Sequence, residues 1–569
     1  MSDFVPGDLA CDVLVIGSGA GGLSTAITAA KAGLKVVVIE KADVFGGTTA
    51  FSGGVLWVPG NSHCPAAAGD TREAARTYLK AETGNHFDET AVDAYLDAGP
   101  KMLDFFERET DVKFVPTLYP DYHPDQPGGV DVGRSVLAKP YETTGLGANL
   151  KRLRPPLETI TFMGMMFNSS NADIKHFFNA TKSLTSFAYV AKRLVNHFLE
   201  VVRHGRGVQV TSGNALAARL AKSAFDLSIP IYTQSPAKEL LVEDGAVTGA
   251  LVSTPGGEVT VRAARGVVIA TGGFARDWER LREAYPHMRR GGEHFTPVPE
   301  SNTGDGIRLA EKAGGRFEVA FASTSAWMPV SKVSYGNGRE VAFPHLLDRY
   351  KPGVIAVTRD GKRFTNESES YHDVGAAMIE ACDGKAETAA WLICDHPTIR
   401  KYGLGYAKPA PVPVSLFTRN GYLQSGRTLA ELASAAGIDA AALEETVADY
   451  NRTAVHGEDP AFHRGSTSFN RYLADPEHKP NPCVGPILKG PFYACKIIMG
   501  DLGTFDGLTT TVDGQVIDRG GSPIPGLYAV GNDRASIMGG NYPGAGITLG
   551  PAMTFGYITG RHLAGLPAS

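Results

Sequence analysis

CDVLVIGSGAGGLSTAITAAKAGLKVVVIE, residues 11–40, decides the fold. Its apolar, β-branched opening, Cys11 to Gly17, predicts a buried strand. Gly17-Ser-Gly-Ala-Gly-Gly22 follows as a turn, an Ala-rich helical pattern runs on to Gly33, and Leu34 to Glu40 (LKVVVIE) predicts a second strand. A G-x-G-x-x-G spacing set between strand and helix, with an acid 23 residues after the first glycine, is the fingerprint of dinucleotide binding. In that reading Gly17 permits the tight turn, and Gly19 and Ala20 bring backbone to a pyrophosphate at the helix N-terminus. Gly22 allows close helix–strand packing, and Glu40 accepts from a ribose hydroxyl. The fold class expected is α/β: a doubly wound, Rossmann-type dinucleotide domain.

The remaining composition limits the function classes. At 569 residues the chain has material for three or four domains. A net charge of −5 argues against a nucleic-acid partner. No apolar run has the length of a membrane span, and the N-terminal residues carry no secretory pattern, so a cytoplasmic location is expected. Six scattered cysteines, none in a C-x-x-C pair, predict buried thiols and no metal site. Glycine is enriched, 67 of 569 residues, in a few short clusters rather than in a repeat. Those clusters are where backbone can approach a large ligand.

Lys41 to Gly54 (KADVFGGTTAFSGG) resembles the stretch with which fumarate reductase and 3-ketosteroid dehydrogenase flavoproteins wrap the diphosphate and isoalloxazine of FAD. The resemblance implies FAD contacts at Lys41, Gly47, Thr48, Thr49, Ser52, Gly53 and Gly54. Arg265 to Phe274 (RGVVIATGGF) looks like the strand returning to the dinucleotide domain, which adds Thr271, Gly272 and Gly273. Gly526 to Asn532 (GLYAVGN) looks like the strand that reaches the ribityl chain, with Gly531 and Asn532 at its end and Thr548 and Leu549 opening the last helix. Succinate dehydrogenase flavoproteins attach FAD through a histidine in the first of these stretches. Gly47 occupies that place here, so FAD is expected to be non-covalent.

Two amphipathic helices are predicted over 71–110, a Pro/Gly/Tyr loop over 116–129 and a small meander from Ile229 to Thr271, whose turns are Glu243-Asp-Gly245 and Pro255-Gly-Gly257. The texture changes near Ala322. A hairpin (GVIAVTRDGKRF, Gly353 to Phe364), a helical pair from Thr428 to Ala454 and Pro-rich connections suggest an inserted α+β catalytic domain. The division expected is 1–331 and 504–569 for the FAD-binding domain, with 332–503 inserted between them.

Three tyrosine motifs narrow the resemblance to the 3-ketosteroid Δ1-dehydrogenases over nearly the whole chain. Tyr122 lies in YPDYHPDQPGG, Tyr371 follows RFTNESES, and Tyr542 opens Tyr-Pro-Gly-Ala-Gly546. The family's third motif implies that the Tyr542 hydroxyl and the Gly546 backbone N–H hold a 3-keto oxygen. Its second implies Tyr371 as the base and its first implies Tyr122 as that base's support. These residue types suit the chemistry. Removing hydrogens beside a ketone requires charge to gather on the carbonyl oxygen, and two neutral donors form an oxyanion hole for it. A base takes a proton from carbon 2 while hydride from carbon 1 goes to the flavin. Tyrosine, with an ordinary pKa near 10, needs a hydrogen-bonded partner or positive potential to serve as that base. Tyr119, three residues before Tyr122, is a competitor for its role, and His123 and His372 read as supporting or surface residues. The partners implied are a hydrophobic ketone, a steroid, and an external electron acceptor.

Other readings remain open: a dehydrogenase of a smaller cyclic ketone, a fumarate- or urocanate-type reductase, or a catalytically silent flavin-binding or membrane-associating protein. The reductases need arginines to clamp a carboxylate bidentately. Tyr371 and Tyr542 stand where those arginines are expected. Finally, residues 151–206 carry nine Lys/Arg against three Asp/Glu, a net +6, with Phe187, Val190, Leu194, Phe198, Val201 and Val202 at helical spacing. Such a segment suits peripheral contact with an anionic membrane, or packing on its own domain or a neighbouring subunit.

Overall fold

The computed structural model describes residues 3–65, 68–167, 176 and 183–567. The Leu9–Ile16 strand holds Val13, Leu14 and Val15 without exposure, as a strand covered on both faces requires. It pairs in parallel with Val36–Ile39 on one side and Gly257–Ile269 on the other. Ile231–Tyr232 extends the sheet beyond the first neighbour, and Pro523–Ala529 beyond the second, both in parallel. Antiparallel Gln515–Ile517 closes the far edge. This is the α/β arrangement expected from residues 11–40. The Ala20–Lys31 helix covers one face and packs along the C-terminal Leu549–Leu563 helix, so the two ends of the chain meet at one site.

The meander forms as read. Ala237–Glu243, Ala246–Thr254 and the first half of Gly257–Ile269 pair antiparallel, and the second half of that last strand then enters the parallel sheet. The predicted helical pairs are Arg72–Thr83 with Glu89–Glu109, and Leu429–Ala436 with Ala440–Ala454. All six cysteines are free thiols, and only Cys64 is not buried.

A second, antiparallel sheet orders its strands Glu340–Pro344, Ser325–Ser334, Phe492–Thr504, Ala389–Cys394, Val354–Thr358. Its first strand in the chain begins at Ser325, so the border drawn at 331/332 cuts through that strand. The expected hairpin over Gly353–Phe364 forms only one arm. Val354–Thr358 pairs with Ala389–Cys394, and the turn closes through the Thr358 N–H to the Lys362 carbonyl and a single bridge, Val357 to Arg363. The second arm leaves the ladder because the Arg363 guanidinium is drawn inward to Glu367 and Asp459.

The basic segment contains a 21-residue helix, Leu184–His204, capped by the Ser183 side chain and ended by Gly205 at φ 75°. Its apolar stripe is outside the core: Phe187, Phe198 and Val202 are 61%, 67% and 69% exposed. Val190 and Leu194 line the main cavity. Asp173, Lys175 and Lys182 lie outside the described residues. Among the described residues no helix is long and apolar enough to cross a membrane.

Candidate active site and cofactor groove

Parallel pairing aligns the carboxyl ends of four strands, at Ile16, Ile39, Ile269 and Ala529, on one edge, the usual place for a ligand in an open α/β sheet. A cavity of about 1980 Å³ begins there and runs to the second sheet. Its near end is glycine-walled. Gly17 sits at φ 116°, and a Cβ on it would lie 2.0 Å from the Ala270 carbonyl oxygen, so no other residue fits this turn. A Cβ on Gly19 would meet nothing closer than 3.7 Å, which leaves the first turn of the Ala20–Lys31 helix open to a phosphate. This cradle fits the diphosphate of FAD.

The groove collects nearly all the predicted contacts: Gly17, Gly19, Ala20, Gly22, Glu40, Lys41, Gly47, Thr48, Thr49, Ser52, Gly53 and Gly54 from the N-terminal part. Thr271, Gly272, Gly531, Asn532, Thr548 and Leu549 complete it from the returning strands and last helix. Gly273 does not line it; its N–H is bound by the buried carboxylate of Asp533, which also takes the Thr271 hydroxyl and the Gly272 N–H. The Glu40 carboxylate is fixed by the Ser18 hydroxyl at 2.6 Å and the Ala42 N–H at 2.9 Å. Sequence reading missed Asn302, whose side-chain amide bonds Thr48 and the Gly272 carbonyl. The Ser-Asn-Thr-Gly304 turn ahead of the Asp305–Lys312 helix was the available signal.

At the other end the three predicted tyrosines converge. Tyr122 and Tyr542 stack with ring centroids 5.5 Å apart, and Tyr371 stands edge-on at 5.0 Å from Tyr542 and 6.0 Å from Tyr122. Tyr119 packs instead against Tyr472 at 4.6 Å, so Tyr122 is the member of the pair that joins the cluster. All three are buried and line the cavity. Gly546, at φ 98°, also lines it, and no described residue accepts from its N–H.

Each tyrosine is placed by a different framework. Tyr371 opens the Tyr371–Ala381 helix behind the Ser370 cap. The R-F-x-N-E residues ahead of it form a buried network: Arg363 grips Glu367 bidentately at 2.8 and 2.7 Å and Asp459 at 2.9 and 2.8 Å. Arg464 bonds Ser368, and Arg349 holds the Glu367 and Glu369 carbonyls. The Tyr122 N–H donates to the Pro543 carbonyl beside Tyr542, and Asp121 bridges to Gly544. The Asp121 carboxylate receives Trp57 at 2.8 Å and Arg134 at 2.6 Å, while burial pushes its pKa up to about 6.

His123 is half-buried and supports the cluster from behind. Its ring lies 3.0 Å from Glu82 on one side and 3.0 Å from Asp373 on the other, tying the Tyr122 loop to the Tyr371 helix. Burial opposes its charge, but the bonds to Asp373 and Glu82 override this and push its pKa up to about 11. His372 is buried, accepts from the Trp327 N–H and is held neutral by desolvation, at about 4. Burial, then the neighbouring Tyr122 and Tyr542, drives the Tyr371 pKa well above 10.

The chain matches the family model described as FAD binding domain over residues 12–549. It is 46% identical to the 4-oxocyclohex-2-ene-1-carboxylate 5-dehydrogenase of Sinomonas cyclohexanicum, over 99% of this chain and 95% of that one. It is 36% identical to the 3-oxosteroid 1-dehydrogenase of Mycobacterium tuberculosis strain H37Rv, over 97% and 98%. The solved 3-ketosteroid delta1-dehydrogenase from Sterolibacterium denitrificans, in complex with 1,4-androstadiene-3,17-dione, superposes with a TM-score of 0.88 at 35% identity, covering 98% of this chain and 99% of that one. With its glycine-walled groove and these relatives, the chain belongs to the FAD-binding-domain family of flavoproteins and is an FAD-dependent oxidoreductase of the group whose dehydrogenases act on CH–CH bonds.

Proposed function

We propose that this protein desaturates the ring of a cyclic ketone next to its carbonyl. The observation that carries this reading is the pairing of the Tyr542 hydroxyl with the unpartnered Gly546 N–H on one cavity wall, with the Tyr371 ring 5.0 Å from Tyr542. Both donors are neutral and fit a ketone oxygen, which gathers charge as the adjacent C–H is broken. Tyr371 accepts the proton from the carbon beside the carbonyl, and Tyr122 orients its hydroxyl. FAD, when bound, accepts the hydride that leaves the next carbon, so a C=C bond forms and two electrons pass to an external acceptor. The reacting carbons would lie among stacked aromatic rings.

Two substrate classes fit. A 3-ketosteroid, dehydrogenated between carbons 1 and 2, suits the cavity's volume and the likeness to the ketosteroid enzymes. A smaller cyclic ketone suits the 46% identical relative, whose name gives a cyclohexene carboxylate. Anaerobic bleaching of bound flavin by androst-4-ene-3,17-dione, 4-oxocyclohexanecarboxylate and cyclohexanone, followed by turnover with a dye acceptor, tests the reading. Failure of every ketone to bleach the flavin defeats it and leaves a silent flavin binder. Reduction of fumarate or urocanate by the reduced enzyme would move it to the arginine-clamped reductases.

FAD is proposed to be non-covalent, because Gly47 stands where the attaching histidine would be. Acid or heat should release all of it, and flavin left on denatured chain counts against this. The basic Leu184–His204 helix, exposing Phe187, Phe198 and Val202 while Val190 and Leu194 reach the cavity, supports peripheral contact with an anionic membrane at the substrate entrance. Co-sedimentation with phosphatidylglycerol vesicles, lost on Phe187→Ser plus Phe198→Ser, is the expected result. Equal sedimentation with and without vesicles rejects it.

A further inference from the structure

We propose that Lys408 anchors an anionic group of the substrate, so that the ketone this cavity takes is a keto acid whose carboxylate pairs with the Lys408 ammonium. The inference rests on the ring-ketone reading and adds to it the chemical class of the substrate.

Of the cavity-lining cations, Lys139 has no ion pair among the described residues but is exposed to solvent, whereas Lys408 is the odd member among those carried by residues 351–408. Lys351 donates to the Leu473 and Ala474 carbonyls. Arg400 donates to the Val412 carbonyl, and Lys401 pairs with Asp475 at 2.7 Å. Lys408 is half-buried and has neither a hydrogen bond nor an ion pair among the described residues. Its ammonium lies instead over two rings, 5.1 Å from the Tyr406 centroid and 5.9 Å from Phe343. Ring faces return only part of a cation's lost hydration. The Asp348 carboxylate, which also lines the cavity, is bonded through Oδ2 to the His345 ring and the Gly405 N–H, leaves Oδ1 buried without a hydrogen bond among the described residues, and forms no ion pair with Lys408. Desolvation lowers the Lys408 pKa with no acid to offset it. A bound carboxylate would supply the missing partner, whereas a wholly neutral guest would leave a desolvated charge unpaired.

The wall that carries Lys408 is continuous with the tyrosine cluster. From Phe343 it passes along Pro344, Leu346 and Leu347, all facing the cavity, to Tyr350. Tyr350 meets Phe469 at 5.9 Å, and Phe469 meets Tyr122 at 4.3 Å. Lys408, Tyr542 and Gly546 line one cavity, and a substrate that spans it presents its ketone to Tyr542 and Gly546 with its acid toward Lys408.

The test uses the FAD-loaded enzyme and three probes: 4-oxocyclohexanecarboxylate, its methyl ester, and cyclohexanecarboxylate, which has the acid but no ketone. Wild type should reach half-maximal flavin reduction with the keto acid at a concentration at least about 10-fold below that for the ester, as a charge-assisted contact predicts. Lys408→Met, which keeps the apolar stem, should erase that gap by raising the half-saturating acid concentration, leaving the limiting rate and the response to ester within about twofold. Lys408→Arg should restore part of the preference. Cyclohexanecarboxylate should perturb the bound-flavin spectrum, at least about 10-fold more weakly in Lys408→Met. Unchanged flavin content and melting temperature establish that the variants fold. Equal response to acid and ester in wild type, or a gap that survives Lys408→Met, overturns the anchor while the ring-ketone reading stands. Lys408-dependent binding of cyclohexanecarboxylate without bleaching by any ketone supports the anchor and removes the ring-ketone reading.

Discussion

The two ends of the cavity are built on opposite plans. The FAD end is made of backbone: a strand, a turn and a helix contiguous in residues 11–40, with glycines where a side chain would collide. The tyrosine end is made of side chains brought from three places, residues 122, 371 and 542, each fixed by partners remote in the chain. A site of the first kind is lost by adding atoms and a site of the second by removing them.

The largest effect should come from Gly17→Val. The added atoms would overlap the Ala270 carbonyl, and the purified protein should lack absorbance near 450 nm. Full flavin content in this variant would break the comparison at its cofactor end. At the other end, Tyr371→Phe keeps the ring and should bind ketone normally while flavin reduction falls by about 10² to 10⁴, the usual loss on removing a general base. Tyr542→Phe should lose about 10² to 10³ and also weaken binding, since the ketone oxygen loses one of two donors. Single-turnover stopped-flow separates the two, and a near-normal rate in Tyr371→Phe sends the proton to another group.

The pH profile sharpens the same contrast. Because burial raises the Tyr371 pKa well above 10, the reactive phenolate gains population as pH rises. Reduction by a neutral ketone should therefore keep climbing up to about pH 10, and Tyr371→Phe should flatten the slope. A plateau near neutrality would exclude a tyrosine base of this kind. The smallest effect concerns His123. Its folded pKa of about 11 lies above the ordinary 6.5, so its clamp stabilises the fold fully below 6.5 and less as pH rises toward 11. The melting-temperature gap between wild type and His123→Gln should be widest near pH 6 and shrink steadily above it. A gap that is constant with pH would mean the clamp is steric rather than ionic.

The same contrast explains what the sequence made legible. The dinucleotide end was readable because its geometry is local: strand, positive-φ turn and helix occupy thirty consecutive residues, whereas Asn302 and Asp533, arriving from distant turns, escaped. The tyrosines were readable because each carries its own motif. Their supports were not, since Asp459, Arg464 and Asn470 look like ordinary polar residues until folding brings them to Arg363, Ser368 and Asn366 about a hundred positions away. The failed hairpin has the same origin. Alternation around Arg363 reads as a strand, while the buried ion pairs that turn it inward are non-local. Lys408 was passed over because an unpaired cation becomes notable only once its surroundings are known to be apolar.

The short backbone link between Asp121 and Gly544, with the Tyr122 N–H on the Pro543 carbonyl, has a consequence for descent with modification. The rings of Tyr122 and Tyr542 are held in register through main-chain atoms that every amino acid except proline possesses. A lineage can therefore exchange the groups facing the substrate, one codon at a time, without having to reinvent the frame that aims them.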